Sequence, residues 1–187
     1  MDARAPLRIF FVCTGNQARS PVAAAWTARA LAQLPVVLGS AGTMPGRSAP
    51  VLADAAAVAA EMGLDLSGHA SSHVSAYDLS VADLVVGFEL QHVAAAVVDG
   101  AAPAERTFLL KEIIRLAREA APVAAADPLD RARAVIRGAG ELRRGRGGFV
   151  PGQEIKDPAG RRLPEVRAIL NEVVDACDEA FRLLLGR

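Results

Sequence analysis

One loop near the start of this chain, Cys13-Thr14-Gly15-Asn16-Gln17-Ala18-Arg19-Ser20, has residue types and spacing suited to chemistry on an oxyanion. A glycine-bearing loop that leads from a strand into a helix turns successive backbone N–H groups inward and makes an anion nest. The same partial positive charge favours a thiolate at Cys13, the nucleophilic form of that side chain. Arg19 follows the nest, where its planar fork can hold two phosphate oxygens, a geometry lysine does not offer. The Ser20 hydroxyl can donate to the cysteine sulfur and steady it as nucleophile and then as leaving group. Asn16 tolerates a left-handed turn better than most residues. Thr14, Gly15, Asn16, Gln17, Ala18 and Ser20 are thus the expected phosphate-binding residues around Cys13 and Arg19.

Displacing a phosphorylated alcohol or phenol needs a proton for the leaving oxygen and then a base to activate water, and a single carboxylic acid can do both in turn. Two Asp-Pro pairs compete for that role, Asp127-Pro128 and Asp157-Pro158. The first opens an amphipathic segment and reads as a helix N-cap with proline at the first helical position. The second follows a glycine-rich stretch and precedes the last helix.

These residues need elements to position them. Leu7 to Val12 is a β-branched and aromatic run that reads as a buried central strand, broken by Gly15-Asn16. Pro21 fits a first helical turn, with Val22 to Leu34 behind it. Val36 to Leu38 predicts a second strand, Ala49 to Met62 a helix closed by Gly63, and Asp83 to Val86 a third strand with its helix over Glu89 to Val98. Thr107 to Leu110 is a candidate fourth strand, and Leu163 to Leu185 a long final helix. Strands alternating with helices predict an α/β three-layer sandwich, a four-stranded parallel sheet flanked by helices, with ligands beyond the carboxyl ends of the strands. Cys13 and Ser40 both fall there. The stretch 122–152 differs. Asp127 to Ile136 patterns as a helix, and Gly138, Gly140, Gly145, Gly147 and Gly148 then alternate with Arg143, Arg144 and Arg146, which predicts a mobile basic loop.

The bulk composition excludes other classes. With 21 basic against 21 acidic residues, no net field argues for nucleic acid. The apolar runs are too short or too charged for a membrane span. Two cysteines make neither a disulfide framework nor a four-ligand zinc site, so a reducing cytoplasm is the expected location. His69 and His73 lack a nearby Cys or Glu ligand, and no metal is expected. His92 reads as a surface-helix residue, Trp26 as packing and Cys177 as core filler.

The stretch Val12-Cys13-Thr14-Gly15-Asn16-Gln17-Ala18-Arg19-Ser20-Pro21 resembles the signature of the low-molecular-weight protein tyrosine phosphatases. The likeness continues in Ser40-Ala41-Gly42-Thr43, Gly63 to His69, Ala82 to Val86, Phe108 to Glu112 and Asp157-Pro158-Ala159-Gly160, covering 7–112 and 153–185. It implies one phosphatase domain over 1–187, with 122–152 an insertion. It implies cofactor-free hydrolysis of phosphate monoesters, protein phosphotyrosine above all, through a cysteinyl-phosphate. The partners would be a phosphorylated protein or small phosphate ester, with inorganic phosphate, sulfate or vanadate able to occupy the loop. The family's acid stands in an Asp-Pro shortly before the last helix, which favours Asp157 over Asp127. Ser40 and His69 match residues that support the loop asparagine.

Some positions depart from the family. Ala159 and Gly160 stand where an aromatic usually follows the Asp-Pro, and Met44, Pro45 and Gly46 where another is expected. Gln17 replaces an apolar residue, and Ala18 a second loop cysteine. These leave three alternatives to a tyrosine phosphatase: a protein arginine phosphatase, an arsenate reductase of the same fold, or a catalytically weak phosphate-binding module. The reductase needs a relay of further cysteines that Cys177 alone does not supply.

Overall fold

The apolar run at the start forms β1 (Leu7–Cys13) in the computed structural model, which describes residues 5–44, 48–120, 124–146 and 150–186. Along β1, Leu7, Ile9, Phe11 and Cys13 enter one hydrophobic cluster, while Val12, with Phe10 beside it, enters another. Both faces of this strand are covered, so it is nearly apolar throughout instead of alternating. β2 (Val36–Gly42), β3 (Leu84–Gly87) and β4 (Thr107–Leu109) complete a parallel sheet in the order β2-β1-β3-β4.

Helices flank this sheet in the expected three layers. α1 (Arg19–Ala30), α4 (Leu110–Glu119), α5 (Pro128–Arg146) and α6 (Leu163–Leu185) contribute to the first cluster, and α3 (Leu90–Val98) brings Ala96 to the second. α2 (Ala53–Glu61) packs Val58 and Ala59 with Val22 of α1 and Leu170 and Val174 of α6. α2 starts at Ala53 and not at Ala49, since Pro50 disfavours a helical conformation at the residue before it. Leu110 begins α4 instead of ending β4. The run Phe108-Leu109-Leu110 carries no turn residue, and periodicity cannot divide so short an apolar stretch.

The predicted basic loop is corrected more strongly. Gly138, Gly140 and Gly145 lie inside α5, which runs on to Arg146; Gly147 and Gly148 fall outside the described residues. Each glycine costs a helix about 1 kcal/mol against alanine. Burial of Leu129, Val135 and Ile136 contributes about 1.5–3 kcal/mol apiece and wins. Gly140 also has a packing reason, because a Cβ there would lie 2.5 Å from the Glu105 carbonyl oxygen. Arg143 is docked as well: Nη1 donates to the Thr107 carbonyl at 2.6 Å, and its guanidinium lies 4.4 Å from the Phe108 ring centroid.

The register brings the site together. Cys13 pairs with Gly42, Val12 with Gly87 and Gly87 with Leu109, so the strands end along one edge. The segment before α6 reaches the same edge, where the Ile155 N–H donates to the Phe88 carbonyl at 2.9 Å.

Candidate active site

The loop from Cys13 to Arg19 is held by its own carbonyls. That of Thr14 accepts the N–H groups of Thr43 and Met44 at 3.0 Å, that of Gln17 accepts Leu52 N–H at 2.9 Å, and that of Asn16 meets His69 Nε2 at 2.7 Å. These three carbonyls are held by partners outside the loop, which is compatible with a loop whose amides make an anion nest. Asn16 takes the left-handed conformation its side chain suits (φ 52°). Its Nδ2 donates to Ser20 Oγ and Ser40 Oγ at 2.9 Å each, and its Oδ1 accepts the Ser72 N–H at 3.0 Å. Ser40 and His69 are thus placed on the loop asparagine, and Ser72 is a third contact that sequence reasoning missed. Gly42 must be glycine, since a Cβ would lie 2.8 Å from the Thr14 carbonyl oxygen and 3.0 Å from Asn16 N. Gln17 donates from Nε2 to the Pro50 carbonyl at 3.0 Å and ties the loop to the approach to α2.

Cys13 Sγ lies 3.0 Å from Ser20 Oγ. Because Asn16 donates to that hydroxyl, the Ser20 proton is available to the sulfur, with the Ala41 carbonyl 3.3 Å away as its other acceptor. Cys13 is buried and lines a cavity of about 160 Å³ with Thr14, Gly15, Gln17, Ala18, Arg19, Met44, Leu52, Asp157 and Ala159. Met44 is 61% exposed and Ala159 is exposed, so neither residue at the mouth brings an aromatic ring; Pro45 and Gly46 lie outside the described residues.

Arg19 is buried, and all four of its Nη hydrogens are engaged. Nη1 donates to Glu89 Oε1 at 2.6 Å and the Ile155 carbonyl at 2.9 Å; Nη2 donates to Asp157 Oδ2 at 2.6 Å and Thr14 Oγ1 at 3.1 Å. Asp157 is therefore brought to the loop from 138 positions away in the sequence. Asp127 is used as a cap: its Oδ1 accepts the N–H groups of Leu129 and Asp130 at 2.8 and 3.1 Å, at the start of α5.

Two residues at this site escaped the sequence reading, Glu89 and His92. Glu89 sits two residues beyond β3, at the carboxyl end of the sheet where ligands gather, and its position alone would have flagged it. Burial raises its pKa, but the hydrogen bonds from Arg19 and Gln91 outweigh that and hold the carboxyl below its usual range. His92 is not a surface residue; it is fully buried. Its Nδ1 accepts the backbone N–H groups of Phe88 and Glu89 at 3.3 and 3.0 Å, and its Nε2 lies 3.0 Å from Thr14 Oγ1. Burial, then the nearby Arg19 charge, push its pKa down from 6.5 to about 4, against the opposing pull of Glu89 and Asp157.

This shift has a consequence for stability. Between pH 6.5 and 4 the unfolded chain binds a proton at His92 that the folded chain refuses, so stability falls as the pH falls. The contribution is complete above pH 6.5 and, at 1.36 kcal/mol per unit, about 3 kcal/mol is lost by pH 4. Urea unfolding of His92→Asn across that window is expected to show a slope shallower by close to one proton; an unchanged slope would assign the acid sensitivity elsewhere.

Cys177 is buried on α6, and burial pushes its thiol up to about 12. Trp26 packs and donates from Nε1 to Asp178 at 2.7 Å. His73 contacts Ser75 Oγ and the Thr43 carbonyl. Among the described residues no group of three or more His, Cys, Asp and Glu could hold a metal ion, and no helix is long and apolar enough to cross a membrane.

Known proteins share this fold. A solved low molecular weight protein tyrosine phosphatase from T. tengcongensis is 25% identical, with 92% of this chain and 96% of that one covered and a TM-score of 0.63. An arginine phosphatase from Geobacillus stearothermophilus is 26% identical, with coverage of 95% and 92% and a TM-score of 0.64. Vibrio vulnificus Wzb, solved in complex with benzylphosphonate, shares the fold at 21% identity, with coverage of 92% and 94% and a TM-score of 0.64. No curated protein matches the sequence. The family model described as low molecular weight phosphotyrosine protein phosphatase matches residues 8–138, well over half of the chain and the whole of the Cys13–Arg19 loop; the chain belongs to that family.

Proposed function

We propose that this phosphatase hydrolyses phosphate monoesters, protein phosphotyrosine foremost, with Cys13 as nucleophile and Asp157 as acid and then base. The observation that carries the reading is the convergence of Cys13, Arg19 and Asp157 on one cavity of about 160 Å³. The Cys13 thiolate attacks phosphorus, the P–O bond to the leaving group breaks, and the Asp157 carboxyl gives that oxygen its proton. Arg19 and the loop amides hold the equatorial oxygens, whose charge they neutralise as it redistributes. The Asp157 carboxylate then takes a proton from water attacking the cysteinyl-phosphate, the P–S bond breaks, and the thiolate leaves beside the Ser20 hydroxyl. Benzylphosphonate in Vibrio vulnificus Wzb mimics an aryl phosphate, which supports an aromatic ester here.

A second reading has its own support. The mouth formed by Met44, Gln17, Leu52 and Ala159 offers no aromatic ring to stack on a phenyl group, and the 26% identical relative is an arginine phosphatase. Phosphotyrosine and phosphoarginine peptides of one sequence, assayed with metal-free enzyme beside para-nitrophenyl phosphate, separate the two. A higher kcat/KM on phosphotyrosine is expected. A preference for phosphoarginine would transfer the assignment, and no hydrolysis of any of them would sink the catalytic reading.

A further inference from the structure

The Thr14 hydroxyl is a meeting point of two donors. Arg19 Nη2 donates to it at 3.1 Å, and His92 Nε2 lies 3.0 Å away. Because His92 Nδ1 already accepts the Phe88 and Glu89 N–H groups, the ring proton is on Nε2 and that contact is also a donation to Thr14. A hydroxyl has two acceptor sites and one proton. With both acceptor sites taken by these donors, the proton is left for a third direction, and the cavity that Thr14 lines with Cys13, Gly15 and Arg19 offers one.

We infer that His92 is a positioning residue which, through Thr14, sets a hydroxyl donor toward the phosphate and steadies Arg19 beside it. The inference rests on the phosphate-ester reading of the site. His92 sits in the first turn of α3, three residues after Glu89, whose Oε1 receives Arg19 Nη1 and whose Oε2 lies 3.8 Å from His92 Nε2. The start of α3 thus grips the phosphate loop at two points, at Arg19 by a charge and at Thr14 by an oriented N–H. Both ring nitrogens of His92 are spent on holding neighbours, and in this geometry neither faces a reacting atom.

A purely structural role, capping α3 with Nδ1, is separable from this one. His92→Asn retains a side-chain acceptor for the cap but is too short to reach Thr14. Thr14→Val removes the hydroxyl and leaves the cap untouched, and Thr14→Ser restores the hydroxyl. Affinity for inorganic phosphate, measured by calorimetry, and kinetics on para-nitrophenyl phosphate are compared across wild type, the three single variants and the His92→Asn/Thr14→Val double, with thermal unfolding of each. His92→Asn and Thr14→Val are each expected to weaken phosphate binding and lower kcat/KM by about tenfold. The double should be no worse than either alone, and Thr14→Ser should recover most of the affinity that Thr14→Val loses. Losses that multiply in the double, or wild-type phosphate affinity in Thr14→Val, overturn the proposal. Should His92→Asn fail to fold, wild-type phosphate affinity in Thr14→Val still overturns the proposal, and His92→Gln takes the place of His92→Asn in the comparison. A wild-type enzyme that binds phosphate yet hydrolyses no ester would sink the catalytic reading alone, since the phosphate affinities would still test His92.

Discussion

Cys13→Ser is expected to lower kcat on para-nitrophenyl phosphate by about 10⁴-fold or more while leaving the fold and phosphate binding in place. A serine hydroxyl at this position is a poor nucleophile, because an alcohol lies far from its alkoxide at neutral pH. Among the described residues the Cys13 sulfur is met by the Ser20 hydroxyl and not by an imidazole. The loop's carbonyl anchors to Thr43, Met44 and Leu52, and the Asn16 contacts to Ser20 and Ser40, do not involve Cys13 Sγ. Phosphate should therefore bind the variant within a fewfold of wild type. Steady-state rates with rapid-quench trapping of labelled phosphate on the protein check this. Activity within tenfold of wild type, or a phosphoryl-enzyme that survives in a Cys13→Ala variant, would remove Cys13 from the nucleophile's role.

Asp157→Ala carries the second large effect, and its size should depend on the leaving group. General acid catalysis contributes typically 10²–10⁴-fold, so phenyl phosphate, whose leaving oxygen needs a proton, is expected to lose about that much in kcat. para-Nitrophenolate leaves without assistance, and its displacement should suffer far less until hydrolysis of the cysteinyl-phosphate limits turnover. Asp127→Ala is the control. Its carboxylate caps α5, so the expected result is a stability loss of about 1 kcal/mol with activity retained in the folded fraction. An unaffected Asp157→Ala beside a crippled Asp127→Ala would reverse the assignment.

The Cys13–Ser20 loop was legible because its chemistry is local: strand end, glycine, asparagine, arginine and helix start lie in one uninterrupted stretch. The strands and α6 were legible for the same reason, from apolar periodicity. What stayed hidden depends on contacts distant in sequence. The glycines of α5 look like loop punctuation until Gly140 is set against the Glu105 carbonyl, and Arg143 looks solvated until it meets Phe108. His92 carries no sequence mark that separates a buried ring from an exposed one, because the partners that define it are Thr14 and two backbone amides. Asp157 was legible in part: capping chemistry set Asp127 aside, but nothing local says that Asp157 touches Arg19.

That last contact makes occupancy of the loop an exchange and not a simple addition. Arg19 is already shared by two carboxylates, Glu89 and Asp157, at 2.6 Å each. All four Nη hydrogens are engaged, so an anion that takes a hydrogen bond from one of them displaces a resident acceptor, and of the two carboxylates it is Asp157 that lines the cavity. A singly charged ion such as chloride or acetate offers Arg19 little that the resident carboxylate does not. A phosphate dianion offers more charge and enough oxygens to satisfy the loop amides as well. The Arg19–Asp157 pair thus favours a dianion over ambient monoanions, and in the proposed mechanism its opening frees the Asp157 carboxyl to face the leaving oxygen.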